Sequence, residues 1–156
     1  MIRLKDFTAL LSRGENDIWI FAFDSNGNEV DYNEPEKYMD LLIKHVTINK
    51  RNLTEYSYII SLDDKVGYAI ADRGIFTYND LVKIIKSPNV IIKPMDFVAG
   101  VSYGKWDSDI SAINNKNLEN KLVAEVLPIF YDKYTLLQVY LISQKDFIAN
   151  PAVPLQ

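Results

Sequence analysis

The chain of 156 residues has no cysteine and a single histidine, His45. Without cysteine there are no disulfides, thiolate nucleophiles, zinc ribbons or iron–sulfur ligation. One imidazole cannot supply a two-histidine metal site or paired proton transfer. Glycine and proline number six each, and they are scattered, so no linker or low-complexity tract divides the chain. The residues display no internal repeat. No window approaches the ~18 consecutive apolar residues of a membrane span. The opening Met1-Ile2-Arg3-Leu4-Lys5-Asp6 lacks the apolar core of a secretory leader. These absences lead to the expectation of a soluble cytoplasmic protein.

Ordinary globular composition remains, with 48% hydrophobic and 24% charged residues. The length suits one domain, expected over residues 1–149, with a loose tail over 150–156 that carries Pro151 and Pro154. Net charge is −4, which removes a basic protein's general attraction for nucleic acid. The charge is unevenly spread. From Glu15 to Glu36 there are seven acids and no Lys or Arg, whereas Lys37 to Lys105 holds ten basic and seven acidic residues.

Periodicity predicts a helix from Leu4 to Ser12, with Leu4, Phe7, Leu10 and Leu11 as its stripe and Gly14 beyond its end. Asp17 to Asp24 is apolar on both faces, which predicts an interior strand. Asp24-Ser25-Asn26-Gly27-Asn28 is turn chemistry, with Glu29 to Tyr32 returning as a second strand. Asn33, Pro35 and early acids predict a helix from Glu34 to His45. Strands are expected over Tyr56–Leu62 and Val66–Ala71, joined as a hairpin by Asp63-Asp64-Lys65. Thr77-x-x-Asp80 has capping-box spacing before a helix over Tyr78–Lys86 that stops at Ser87-Pro88. Further strands are expected at Asn89–Lys93 and Asp96–Tyr103, interrupted by Pro94. A long helix is expected from Asn117 to Tyr131, with Leu118, Leu122, Val126 and Ile129 on one face and a break at Pro128. Leu136–Ser143 is expected either as a closing strand or as a helical continuation from Tyr131. The expected fold class is therefore α+β: an antiparallel or mixed sheet with three to four helices packed on it.

Candidate chemistry fails on spacing. Asp24, Asn26 and Asn28 resemble the start of an EF-hand loop, but Gly27 comes too early and Pro35 stands where a bidentate Glu is required. Gly100-Val101-Ser102-Tyr103-Gly104-Lys105 is one residue short of a phosphate loop, and Trp106 follows where Ser or Thr belongs. His45-Val46-Thr47 resembles the H-x-T signature of two-histidine phosphoesterases, with the second copy missing. At the end of a predicted helix, His45 has a structural use. Glu119-Asn120-Lys121 on a predicted helix does not converge. A dispersed carboxylate site drawn from Asp63, Asp64, Asp72, Asp107 and Asp109 is the surviving enzymatic alternative, a divalent-metal hydrolase or nuclease. A virion structural subunit is a second alternative.

The leading expectation is a non-enzymatic protein-binding domain, an accessory or inhibitory factor without a cofactor. It docks a basic partner surface, such as that of a nucleic-acid-binding protein, through an acidic hairpin. Direct nucleic-acid and membrane contacts are not expected. The contact residues are Asp24, Asn26, Glu29, Asp31, Tyr32 and Glu36. The abundance of Ile, Asn, Lys and Tyr is the usage of a low-GC genome, and a phage or mobile element of a low-GC host is the expected source of such a factor.

Overall fold

The computed structural model describes residues 2–11, 17–31, 33–50, 55–67, 76–97 and 116–145. In chain order the elements are α1 (Leu4–Leu11), β1 (Asp17–Phe23), a 3-10 turn at Pro35–Lys37, β2 (Leu41–Lys50), β3 (Glu55–Val66), α2 (Tyr78–Ile84), β4 (Val90–Asp96), a single turn α3 (Lys116–Glu119), β5 (Leu122–Phe130) and β6 (Thr135–Ile142). Six strands in two small mixed sheets dominate, so the expected α+β class with three to four packed helices is corrected. Among the described residues only α1 and α2 exceed a single turn. No helix among them is long and apolar enough to cross a membrane.

The two sheets repeat one plan. The first has the order β1-β3-β2 and the second β4-β6-β5. In each, the first strand of the half runs parallel to the last, and the last two form an antiparallel pair. Details recur as well. Arg3, just before α1, bridges Leu42, and Thr77, just before α2, bridges Leu122. Ile43 N donates to Ile2 O at 2.8 Å, and Val123 N to Phe76 O at 3.0 Å. The register slips between Ile43 and His45 in one hairpin and between Val123 and Glu125 in the other. The row Ala22–Ile60–Val46 has its counterpart in Pro94–Val139–Val126. Among the described residues the two halves thus share one helix–strand–hairpin arrangement, although the residues themselves display no repeat.

Both halves share one buried cluster. It joins the stripe Leu4, Phe7, Leu10 and Leu11 of α1 and Tyr78, Leu81 and Ile84 of α2 to the inner faces of both sheets. α1 lies against β2 and against β5 of the other half, and α2 lies against β2. Phe7 meets Tyr58 edge-on with ring centroids 5.6 Å apart, and Tyr56 meets Phe130 of the other sheet at 4.8 Å. Each such buried side chain contributes about 1.5–3 kcal/mol of transfer free energy. After α2 the chain lies alongside β2, where Ile85 bridges Val46 and Lys86 N donates to Val46 O at 2.9 Å.

The remaining differences have local causes. The segment expected as a helix over Glu34–His45 makes one 3-10 turn and then enters β2, because Val46, Thr47 and Ile48 favour a pleated backbone. β5 replaces the expected helix over Asn117–Tyr131. Val123 and Val126 join the main core, Leu122 and Ala124 join Ile142 in a second, smaller cluster across the register slip, and Pro128 is tolerated because β5 is an edge strand. Asp63, Asp64 and Lys65 lie within β3 and form no turn. β4 runs through Pro94. β1 is an edge strand of its sheet, not an interior one. The expected strand residues 68–71 and 98–103 lie outside the described residues.

Candidate functional site

The acidic stretch starts where β1 stops. Asp24 shapes its own loop: its Oδ1 accepts from Asn26 N at 2.9 Å and from Asn28 N at 3.0 Å. Gly27 N donates to Asp24 O at 3.0 Å, and Gly27 takes the left-handed φ of +82° that suits a residue without Cβ. The expected turn is present. The expected return strand reduces to one bridge, Phe23 with Glu29, and one hydrogen bond from Val30 N to Ala22 O at 2.9 Å. The hairpin is therefore a turn with a two-residue return. Asp24, assigned from sequence to the partner contact, is half-buried and engaged by backbone N–H groups.

The bridge sets the direction of the side chains. Residues opposed across an antiparallel pair point to the same face. Glu29 consequently joins Phe23 on the outer face of the first sheet, while Val30 turns inward and is buried beside Ala22. Asn26, Glu29, Asp31 and Glu36 are exposed. Asp31 Oδ1 accepts from Asn33 N at 2.9 Å, and Glu34 pairs with Lys37 at 2.9 Å, an exposed contact of little energetic consequence. Hydrogen bonding to Glu34 raises the ammonium pKa of Lys37, with the Glu34 charge adding to it. Tyr32 lies outside the described residues.

Beside these acids, alternation along β1 puts Trp19, Phe21 and Phe23 in one row on the same outer face. Trp19 is 48% exposed, among the few large apolar side chains left open, and Phe21 and Phe23 are half-buried. Across the sheet the row faces Ser57, Ile59 and Ser61 on β3, and beyond them Asn49, Thr47 and His45 on β2. His45 therefore sits mid-strand opposite Ser61, not at a helix end as the sequence reading had it. The arrangement is an aromatic strip with hydroxyl and amide groups on one side and Glu29 on the other, with Asp31 two residues further along the chain. Sequence reasoning selected the acids and missed the strip, because β1 was expected to be covered on both faces. The alternation Trp19-x-Phe21-x-Phe23 running straight into the acidic turn was the available signal.

The alternatives gain little here. Asp63 and Asp64 lie at the end of β3, and hydrogen bonding with the Asp64 side chain and backbone holds the Asp63 carboxyl below its usual range. Asp72, Asp107, Asp109 and the stretch Gly100–Lys105 lie outside the described residues. Among the described residues no group of three or more His, Asp or Glu side chains is placed to hold a metal ion. The chain matches no known family model, no curated protein and no solved structure.

Proposed function

We propose that this chain is a non-enzymatic protein-binding domain, an accessory or inhibitory factor that docks a basic and partly apolar protein surface. The docking face is the outer side of the first sheet, with Trp19 as the anchor and Glu29, Asp31 and Glu36 as the charged rim. The exposure of Trp19, on the strand face whose far end carries Glu29, is the observation that carries this reading. Exposed aromatic anchors surrounded by polar groups are where binding energy concentrates, and truncating one costs about 2 kcal/mol or more. The acids supply steering and discrimination, so association should weaken as salt rises. A cleft that normally holds nucleic acid is a partner of suitable charge.

The test compares the unaltered chain, Trp19→Ala and the double variant Glu29→Lys/Asp31→Lys as baits in lysate of the source cells, with recovered proteins quantified by mass spectrometry. The expected result is a basic partner whose recovery drops at least about tenfold with each variant. Circular dichroism of both variants should remain that of the unaltered chain. Recovery of the same proteins by all three baits removes this face from consideration.

A further inference from the structure

A groove of about 420 Å³ opens on a different part of the molecule, at the seam between the two halves. One wall is the end of β2, with Ile48, Asn49 and Lys50. The opposite wall is the β5–β6 turn from Tyr131 to Thr135, and Pro88 and Asn89 form its third side. Its volume falls within the range of small-molecule sites, about 300–1,000 Å³.

The walls are fixed to each other by hydrogen bonds. Ser87, next to Pro88, joins Ile48 through both its backbone groups. Asn89 O accepts from Thr135 N at 2.8 Å, and Lys50 Nζ reaches Tyr131 O at 3.5 Å. The turn is closed by Tyr131 N donating to Tyr134 O at 2.9 Å. Asn89 adopts a φ of +60°, a left-handed conformation that Asn tolerates better than most residues. A site held in this way needs little reorganisation to receive a ligand.

The chemistry of the lining is specific. Lys50 and Lys133 place two cationic side chains around the groove against one carboxylate, Asp132, in a chain whose net charge is −4. Tyr131 and Tyr134 stack nearly parallel, at 19° with centroids 4.8 Å apart, and Tyr131 is 41% exposed. Asn49 and Asn89 carry amides that both donate and accept. An apolar ligand would strand these groups. A bare anion would use the lysines and leave the aromatic platform idle. A planar heterocycle that carries a negative charge uses all three: ring against tyrosine, ring edge against amide, charge against ammonium.

We propose that this groove is a binding site for a nucleoside monophosphate, with the base stacked on Tyr131 and the phosphate between Lys50 and Lys133. The volume accommodates one nucleotide. The site is separate from the docking face proposed above and does not depend on it.

Titration of the isotope-labelled chain with AMP, GMP, CMP and UMP, followed by amide chemical shifts, tests the assignment. Inorganic phosphate and a short single-stranded oligonucleotide are the comparison probes. The expected result is saturable shifts confined to residues 48–50, 88–89 and 131–135 for at least one mononucleotide. Tyr131→Ala and Lys133→Ala, both at the exposed turn, should each weaken binding about tenfold, and Tyr131→Phe should retain it. Four outcomes overturn the proposal: no shifts at millimolar mononucleotide; equal binding by both alanine variants; inorganic phosphate binding as well as any nucleotide; or the oligonucleotide binding more than about tenfold tighter than every mononucleotide.

Discussion

Ser87 grips both backbone groups of Ile48: its Oγ accepts from Ile48 N at 3.0 Å and donates to Ile48 O at 3.2 Å. The two residues belong to different halves of the chain, so this side chain stands in for a strand at the edge of β2. Ser87→Ala should leave a partly buried N–H and C=O without that partner and cost about 1–3 kcal/mol. Urea denaturation measures it as a lowered midpoint with an unchanged slope. A midpoint equal to that of the unaltered chain would mean that water replaces the hydroxyl without loss.

The start of α2 offers a second local test. Asp80 N donates to Thr77 Oγ1 at 3.2 Å, and Thr77 N donates to Asp80 Oδ2 at 3.5 Å, so each residue caps the other. Thr77→Ala should destabilise the fold by about 1 kcal/mol. Because the two bonds act as one device, Thr77→Ala/Asp80→Ala should cost less than the sum of the single changes. A thermal-unfolding cycle of the four proteins reads the coupling, and strict additivity would refute it.

That capping box is legible in the sequence because it spans four residues, and α1 and β1 are legible because their signals are equally local, whereas β6 is open to both a strand and a helix. α1 has one apolar stripe, and β1 is a short apolar run bounded by acids. β2 and β5 were read as helices because Leu41, Leu42 and His45, or Leu118, Leu122 and Val126, also fit a spacing of three to four. Only pairing with β3 and β6, which neither segment's own periodicity encodes, decides for the strand. The shared arrangement leaves no repeat in the residues because the halves preserve register and burial more than identity. Asp6 matches Asp80, and Leu42 and Val46 match Leu122 and Val126. Tyr58, however, occupies the position of Leu137, and Arg3 that of Thr77. For the site, the charge of Glu29 and Asp31 was visible. The face that Glu29 shares with Trp19 follows from one bridge between Phe23 and Glu29, which no spacing encodes.

Gly67 lies against the start of the first half. Its N–H donates to Asp40 O at 2.8 Å, and a methyl group on its Cα would run into the Leu42 side chain and come within 2.8 Å of Arg3 Cγ. Arg3 is held there by Asp6, at 2.7 Å and 2.8 Å, and by Asp40 at 3.6 Å. Hydrogen bonding to Asp6, opposed by burial and assisted by both carboxylates, raises the guanidinium pKa further. Gly67→Ala should therefore displace Leu42 and the Arg3 stem together and cost about 1–3 kcal/mol. A thermal midpoint unmoved by the change would show that the contact relaxes freely.

Tyr58 connects the core to alkaline stability. Its ring is fully buried, edge-on to Phe7 and to Tyr56, and its hydroxyl lies near that of Tyr56 without a well-formed hydrogen bond. Burial, with the charge and hydrogen bonding of Tyr56 adding to it, pushes its ionisation well above the usual 10.0. In the unfolded chain the phenol loses its proton near that usual value, while in the folded chain it keeps it. Between the two values the unfolded state binds fewer protons, so raising the pH favours unfolding. The contribution of the protonated phenol is full below the unfolded pKa and declines above it, by up to about 1.4 kcal/mol for each further pH unit. Tyr56 is raised in the same direction, chiefly by burial, and adds to the slope. Tyr58→Phe removes the titrating group and a poorly satisfied buried hydroxyl, so at neutral pH it should change stability by no more than about 1 kcal/mol. Denaturation midpoints followed upward from neutral pH should then fall less steeply for the phenylalanine variant than for the unaltered chain. Parallel curves would show that Tyr58 does not govern the alkaline transition.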